Sequence, residues 1–398
     1  MNMISAQNPQ TTPLGFTRLL KISHQEKQSY FLFGPRGVGK TSWLKEHFSD
    51  AIYFDLLHDK TYTSLLASPS RLGDLIPSDY TGWVIIDEIQ KAPALLDEVH
   101  RLIESRKLRF ILTGSSARKL RRQGVNLLAG RALIKNMYPM TAIEQGERFS
   151  LPQSLRYGHL PMALNSEHPD EYLSSYVATY LREEVLQEGL TRNIVLFTKF
   201  LETASFSQGE LLNTTQIAQE IGTNRSAVET FFGILEDLLI ASRLPVFTQR
   251  AKRDMVKNVK FYYFDVGVYR SIRPQGPLDT PEEIDGAALE TLFLQEARAL
   301  NDYFSYGYEF YFWRTRSQLE VDFVLYGKHG LLAFEIKRKA QIKTDDYKGL
   351  KAFMEDYPVC KAYLFYGGTE SFTYQDIQVM PLSEALPKLS ELLKNSKK

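Results

Sequence analysis

The stretch Gly34-Pro35-Arg36-Gly37-Val38-Gly39-Lys40-Thr41 has the spacing G-x-x-x-x-G-K-[ST]. The chemistry this spacing serves is phosphate binding. Glycines let backbone N–H groups turn inward around phosphate oxygens, and a helix opening at the lysine puts its positive N-terminus beneath them. Lys40 can reach the β- and γ-phosphates, the Thr41 hydroxyl can ligate Mg²⁺, and Ser42 completes the stretch expected to hold a nucleotide. An unrelated glycine turn ahead of a helix is the alternative. The strand-like run Tyr30-Phe31-Leu32-Phe33 just before the loop speaks against it.

A second run, Trp83-Val84-Ile85-Ile86-Asp87-Glu88, ends four apolar residues in two acids. A buried strand of this kind delivers carboxylates to its C-terminal end, where open α/β sheets bind ligands. Asp87 is expected to hold Mg²⁺, directly or through water, and Glu88 to orient and deprotonate an attacking water. Phe110-Ile111-Leu112-Thr113-Gly114-Ser115-Ser116 is another apolar strand ending in hydroxyls. Thr113, or failing it Ser115, is a candidate γ-phosphate sensor; the plainer reading is a strand closing in a turn.

Far along the chain, Glu320-Val321-Asp322-Phe323-Val324-Leu325 alternates as a half-buried strand, and Ala333-Phe334-Glu335-Ile336-Lys337 follows a turn at Gly327–Gly330. Glu335 and Lys337 are two apart and so share a strand face. If the strands form a hairpin, Asp322, Glu335 and Lys337 converge, and a helix around Leu289 can bring Glu290 alongside. This is the D…E-x-K arrangement of restriction-endonuclease-like enzymes. There two carboxylates, here Asp322 and Glu335, bind Mg²⁺ or Mn²⁺, while the lysine activates water and offsets transition-state charge. Two other readings stay open: a surface ion-pair set, and a nuclease-like fold kept for binding without cleavage. Arg314, Arg316, Lys337-Arg338-Lys339 and Lys343 would supply phosphate contacts. Trp313 is either a stacking platform or a core aromatic.

The elements that must position these groups follow from the apolar pattern. Strands at Tyr30–Phe33, Ala51–Leu56, Trp83–Ile86, Leu108–Thr113 and, more weakly, Ala132–Ile134 are separated by helical segments, which predicts βαβ units and a parallel sheet. Residues 151–210 read as a helical lid or connector. Residues 214–228 resemble a helix-turn-helix, with small Ala218, turn Gly222 and apolar Val228 at the packing positions and Thr223 or Asn224 able to cap the second helix. The second helix carries Arg225 against Glu229, Glu236 and Asp237, a poor face for a DNA groove. The next segment, Arg243–Lys260, holds six basic residues and one acid. It predicts a winged-helix domain over 211–272 whose wing touches backbone phosphate through Arg250, Lys252, Arg253 and Lys257. A structural lid or intersubunit domain is the alternative. A proline-rich linker at Arg273–Glu283 leads to a C-terminal α/β domain over 284–394. Residues 1–15 and 395–398 read as loose tails.

The 398 residues carry 48 Lys+Arg against 47 Asp+Glu, a net charge of +1, which excludes a uniformly basic nucleic-acid binder but not local patches. The single cysteine, Cys360, permits no internal disulfide, and no Cys/His cluster has zinc spacing. No apolar run approaches a membrane span and the start lacks a signal-peptide pattern. The expectation is a cytoplasmic protein with no membrane contact.

Taken together, Gly34–Thr41, Ile85–Gln90, Leu112–Ser116, Leu128-Ala129-Gly130-Arg131, Tyr263-Phe264-Asp265-Val266-Gly267 and Glu320-Val321-Asp322-Phe323 resemble a family of bacterial and archaeal AAA-type P-loop ATPases with a C-terminal nuclease-like domain. The resemblance covers nearly the whole chain after residue 15. It implies an AAA-type ATPase domain over 16–150, ATP with Mg²⁺ as cofactors, a homo-oligomer whose sites are completed between subunits, and engagement of branched or ended DNA without sequence reading. It also implies Arg131 as a phosphate-charge sensor or trans-acting arginine, with Arg118, Arg121 and Arg122 as competitors in a segment, Arg118–Lys135, of six basic residues and no acid. Two functions follow: an ATPase driving DNA movement or metal-dependent cleavage, or a nucleotide-switched DNA- or protein-binding protein that does not cut.

Overall fold

The computed structural model describes residues 16–114, 128–181, 185, 193–277 and 279–394. Both expected tails, and Ser115, Arg118, Arg121 and Arg122, lie outside them. The chain divides into two compact units at Met140/Thr141, ten residues before the domain boundary expected from the sequence.

In the N-terminal unit, β1 (Ser29–Phe33), β2 (Ile52–Asp55), β3 (Trp83–Asp87), β4 (Arg109–Gly114) and β5 (Ala132–Asn136) form one sheet in the order β2-β3-β4-β1-β5. Every neighbouring pair is parallel. β1 and β3 are buried along their whole length, as continuous apolar runs must be when helices cover both faces. The edge strand β5 is more exposed, which is why its sequence signal is weaker. Helix α1 (Lys40–His47) follows β1. Helix α2 (Leu95–Arg106) packs Leu95, Leu96, Val99 and Leu102 against Val84, Ile86, Phe110 and Leu112. The common strand direction puts the ends of β1, β3 and β4 on one edge of the sheet.

In the C-terminal unit, short helices from Ala142 to Ser175 precede α3 (Ile194–Ser205), α4 (Thr214–Ile221) and α5 (Arg225–Asp237). α4 and α5 fall on the stretch read as a helix-turn-helix, and Gly222, at φ 74°, ends the first of them. Asn213 caps α4 by accepting from Gln216 N at 3.2 Å, and Asn224 caps α5 by accepting from Ala227 N at 2.9 Å. Strands β6 (Ala241–Leu244) and β7 (Lys260–Tyr263) pair antiparallel after it. The chain between them does not project as a wing. It runs beside β8 (Tyr308–Arg314), with Phe247 N donating to Phe312 O at 2.7 Å and Val256 N to Arg314 O at 3.1 Å. Phe247 is buried in the same core as Trp313, Val324 and Phe353.

Helix α6 (Val266–Ile272) begins at Asp265, a buried carboxylate that accepts from His159 N at 2.7 Å and from Val268 N at 3.1 Å. A Cβ on Gly267 would lie 2.1 Å from Tyr157 O, so only glycine fits there. The Tyr263–Gly267 motif is therefore a structural knot. The last sheet has the order β12-β13-β11-β10-β9-β8, with β9 (Glu320–Gly327), β10 (Gly330–Lys337), β11 (Lys361–Tyr366), β12 (Phe372–Tyr374) and β13 (Ile377–Pro381). Helix α7 (Pro281–Tyr303) lays Phe293 on Phe323 and Phe334, each at 4.8 Å between ring centroids. Helix α8 (Lys348–Asp356) sets Phe353 against Trp313 at 5.4 Å.

Candidate functional site

At the C-terminal edge of the first sheet, Gly37 and Gly39 take φ values of 85° and 95°, a left-handed backbone open to glycine at little cost. Their presence lets the loop curl. Gly34, Pro35 and Val38 are buried, Arg36 and Ser42 half-buried; the Val38 side chain is in the core, so this residue offers only its backbone. Lys40 Nζ donates to Gly34 O at 2.6 Å and Pro35 O at 3.1 Å. The lysine thus folds over the loop that it closes.

The expected metal pair is in contact: Thr41 Oγ1 donates to Asp87 Oδ2 at 2.7 Å. Asp87 is 2% exposed and also accepts from the hydroxyls of Tyr53 and Thr113. Adjacent hydroxyl and carboxylate oxygens of this kind suit a hard cation such as Mg²⁺. Tyr53 was not foreseen; it stands on β2 beside β3, and no spacing rule marks it. Burial and the Asp87 carboxylate push its hydroxyl pKa well up, so it stays a donor. Glu88 follows in the left-handed region at φ 62° and its carboxylate is held by the Gln90 amide.

Thr113, the candidate sensor, is fully buried; its hydroxyl donates to Asp87 and accepts from Glu88 N at 3.1 Å, so it joins the two acids. Arg131 stands apart from them. It precedes Ala132, which pairs with Ser29 at the start of β1, so it sits at the sheet edge opposite the loop. That is on the order of 15 Å away at ~3.3 Å per strand residue. Its guanidinium pairs with Glu104, whose carboxyl pKa it lowers. Within its own chain Arg131 does not serve the phosphate loop.

The C-terminal constellation is brought together. Lys337 Nζ lies 2.5 Å from Glu335 Oε1, and Asp322 Oδ2 accepts from Ile336 N at 2.8 Å. Glu290 joins through Tyr262, whose hydroxyl donates to it at 2.6 Å. Burial, reinforced by Asp322, pushes Glu335 up to about 8; burial, opposed by Lys260, pushes Glu290 up to about 7. A group missed from the sequence stands among them. Lys260 Nζ, on β7, is 2.6 Å from Glu320 Oε1, 3.6 Å from Glu290 Oε2 and 4.0 Å from Asp322 Oδ1. Its position inside a basic run hid it. The two carboxylates expected to hold Mg²⁺ or Mn²⁺ each face a lysine: Glu335 pairs with Lys337 at 2.5 Å, and Asp322 lies 4.0 Å from Lys260. Among the described residues no group of three or more His, Cys, Asp and Glu is arranged to hold a metal.

The basic residues are less available than their sequence suggests. Arg243 is bound to Glu229 and Glu236, and Arg253 to Asp356 at 2.7 Å and Glu355 at 3.2 Å. Arg250, Lys252 and Lys257 are exposed. Arg314, Arg316, Arg338 and Lys339 pair with Glu320, Asp254, Asp285 and Asp346. Trp313 is 1% exposed, a core residue and not a stacking platform. Elsewhere Ser154, His159 and Glu296 line up, with 2.7 Å from His159 Nε2 to the serine hydroxyl and 3.1 Å from Nδ1 to Glu296. All three are buried, so this series is internal scaffolding.

A glycine-bearing loop between a buried parallel strand and a helix, with a carboxylate on the next-but-one strand, defines a P-loop NTPase. Comparison with known proteins specifies it further: residues 26–145 match the family described as an AAA domain. The N-terminal unit is thus an AAA-type P-loop domain. Residues 148–279 and 285–385 match two families described as domains of unknown function, DUF8612 and DUF4143. The chain is 24% identical over 358 residues to the uncharacterized protein Rv2008c of Mycobacterium tuberculosis, covering 87% of this chain and 78% of that one. The same figures hold for the uncharacterized protein Mb2031c of Mycobacterium bovis. Among solved structures it is similar to the Aeropyrum pernix Orc1 protein in complex with DNA, at 14% identity and a TM-score of 0.27, covering 62% of this chain and 86% of that one. Protein VC1899 from Vibrio cholerae gives 13% identity and a TM-score of 0.24, over 93% and 99% of the two chains. TM-scores this low carry no argument about fold. No helix among the described residues is long and apolar enough to cross a membrane.

Proposed function

We propose that the chain binds and hydrolyses ATP in its N-terminal unit, and that nucleotide state governs engagement of DNA by its C-terminal unit, which binds without cutting. The observation that carries the ATP half is the junction at Asp87, where Thr41 and Thr113 donate to one buried carboxylate beside Glu88. Backbone N–H groups of residues 34–40 would cradle the phosphates, and Lys40 would move from the loop carbonyls onto the β- and γ-phosphates. Thr41 and Asp87 would hold Mg²⁺, which neutralises phosphate charge when bound. Glu88, in a costly backbone conformation of the sort that clusters at functional sites, would take the proton of the attacking water. Lys40→Ala is expected to lose binding of a fluorescent ATP analogue. Glu88→Gln is expected to keep binding while turnover falls by ~10²-fold or more; turnover at the parental rate would remove Glu88 from this role.

Binding without cutting is favoured over metal-dependent cleavage because lysines stand against both expected metal ligands, Lys260 near Asp322 and Lys337 on Glu335. Exposed Arg250, Lys252 and Lys257 support contact with the backbone of ended or branched DNA, without sequence reading. A homo-oligomer, in which Arg131 of one chain serves the nucleotide of the next, accords with its distance from its own loop. The test is to incubate the protein with linear, single-stranded and four-way-junction DNA, with Mg²⁺ or Mn²⁺, with and without ATP. Retention of intact strands is expected. Cleavage abolished by Lys337→Ala and spared by Lys40→Ala would overturn the reading.

A further inference from the structure

A lysine as buried as Lys260, 3% exposed, would shed its proton in apolar surroundings. Here Glu290, Glu320 and Asp322 surround it, each within 4.0 Å of the ammonium. The ring of Phe312, 5.7 Å away, closes another side. The strand that carries Lys260 is pinned twice: β6 pairs with it through Leu244, and Leu211 bridges it from the other side. The ammonium is therefore a fixed part of the fold.

Three carboxyl groups meet at its ammonium: Glu320 at 2.6 Å, Glu290 at 3.6 Å and Asp322 at 4.0 Å. Removing the Lys260 charge would leave these groups facing one another around the space that a cation now fills. Glu335 Oε2, buried and without a hydrogen-bond partner among the described residues, shows that the carboxylates are not saturated by their own surroundings.

We propose that Lys260 is a built-in cation standing in the place of a divalent metal, so that this site holds its carboxylates together without one. The inference takes its chemistry from the non-cutting reading above. Its readout involves neither DNA nor ATP, so failure of DNA binding leaves it intact.

The experiment measures Mn²⁺ bound per full-length chain, without nucleotide, by loss of the free-ion electron paramagnetic resonance signal. Wild-type protein and Asp322→Asn are expected to bind the same number of ions. Lys260→Met, which keeps the length of the side chain and removes its charge, is expected to gain one ion per chain. That ion should vanish again in Lys260→Met/Asp322→Asn, and Lys260→Arg should not gain it. An Asp322-dependent ion in the wild type overturns the proposal. So does a folded Lys260→Met, checked by circular dichroism, that takes up nothing extra. Should Lys260→Met fail to fold, the wild type against Asp322→Asn still decides: equal stoichiometry supports the built-in cation and a one-ion difference refutes it.

Discussion

Glu335 illustrates how a single buried side chain sets a measurable property of the C-terminal unit. Burial, with Asp322 opposite, raises its pKa to about 8, and Lys337 beside it only partly offsets this. A carboxyl raised on folding stabilises the native state below the ordinary carboxylate range, and that contribution is lost as pH rises through about 8. Glu335→Gln cannot ionise. Its melting temperature relative to wild type is therefore expected to climb between pH 5 and pH 9 in a thermal scan; a difference that falls across that window would refute the assignment. The residues of this site were only half legible. Asp322, Glu335 and Lys337 could be read because strand periodicity relates them locally. Lys260 could not, since it reaches the site from a strand some sixty residues earlier and no spacing rule links them. Tyr53 escaped for the same reason: neighbouring strands, not neighbouring residues, bring it to Asp87.

At the scale of elements, the parallel strands and the helices α4 and α5 were legible because each is written in a short apolar period with its own caps. The segment between β6 and β7 was not. Its charge suggested a projecting wing, but Phe247 buries into the C-terminal core and the flanking backbone pairs with β8. An apolar anchor outweighs the solvation preference of the basic residues around it, since a fully buried phenylalanine is worth about 1.5–3 kcal/mol. The same packing divides the basic residues by role. Arg253→Ala leaves the buried Asp356 carboxylate without its guanidinium partner and is expected to cost about 1–3 kcal/mol in denaturant unfolding. Replacing Arg250, Lys252 and Lys257 together by alanine is expected to leave stability within about 0.5 kcal/mol per site. The triple variant should weaken DNA binding and flatten its salt dependence, by up to about three in log–log slope. An unchanged slope would remove this surface from DNA contact.

At the scale of the whole molecule, the position of Arg131 makes the proposed homo-oligomer testable without imaging it. Arg131→Ala and Glu88→Gln are each expected to abolish turnover alone. Mixed in equal amounts and allowed to exchange, they should recover activity, because about one site in four then pairs an intact Glu88 with an intact neighbouring Arg131. No recovery would mean that Arg131 acts elsewhere. The knot at Asp265 bears on how such a chain comes to be made. His159 and Asp265 are 106 positions apart, yet their hydrogen bond joins the early helices of the C-terminal unit to its middle. The N-terminal sheet, by contrast, is closed once β5 has paired with β1 at Asn136. During synthesis the nucleotide-binding unit can therefore complete itself while the ribosome is still translating the next stretch. The segment around His159 has to wait, its partner unwritten, until the codons for Asp265 and Gly267 have passed.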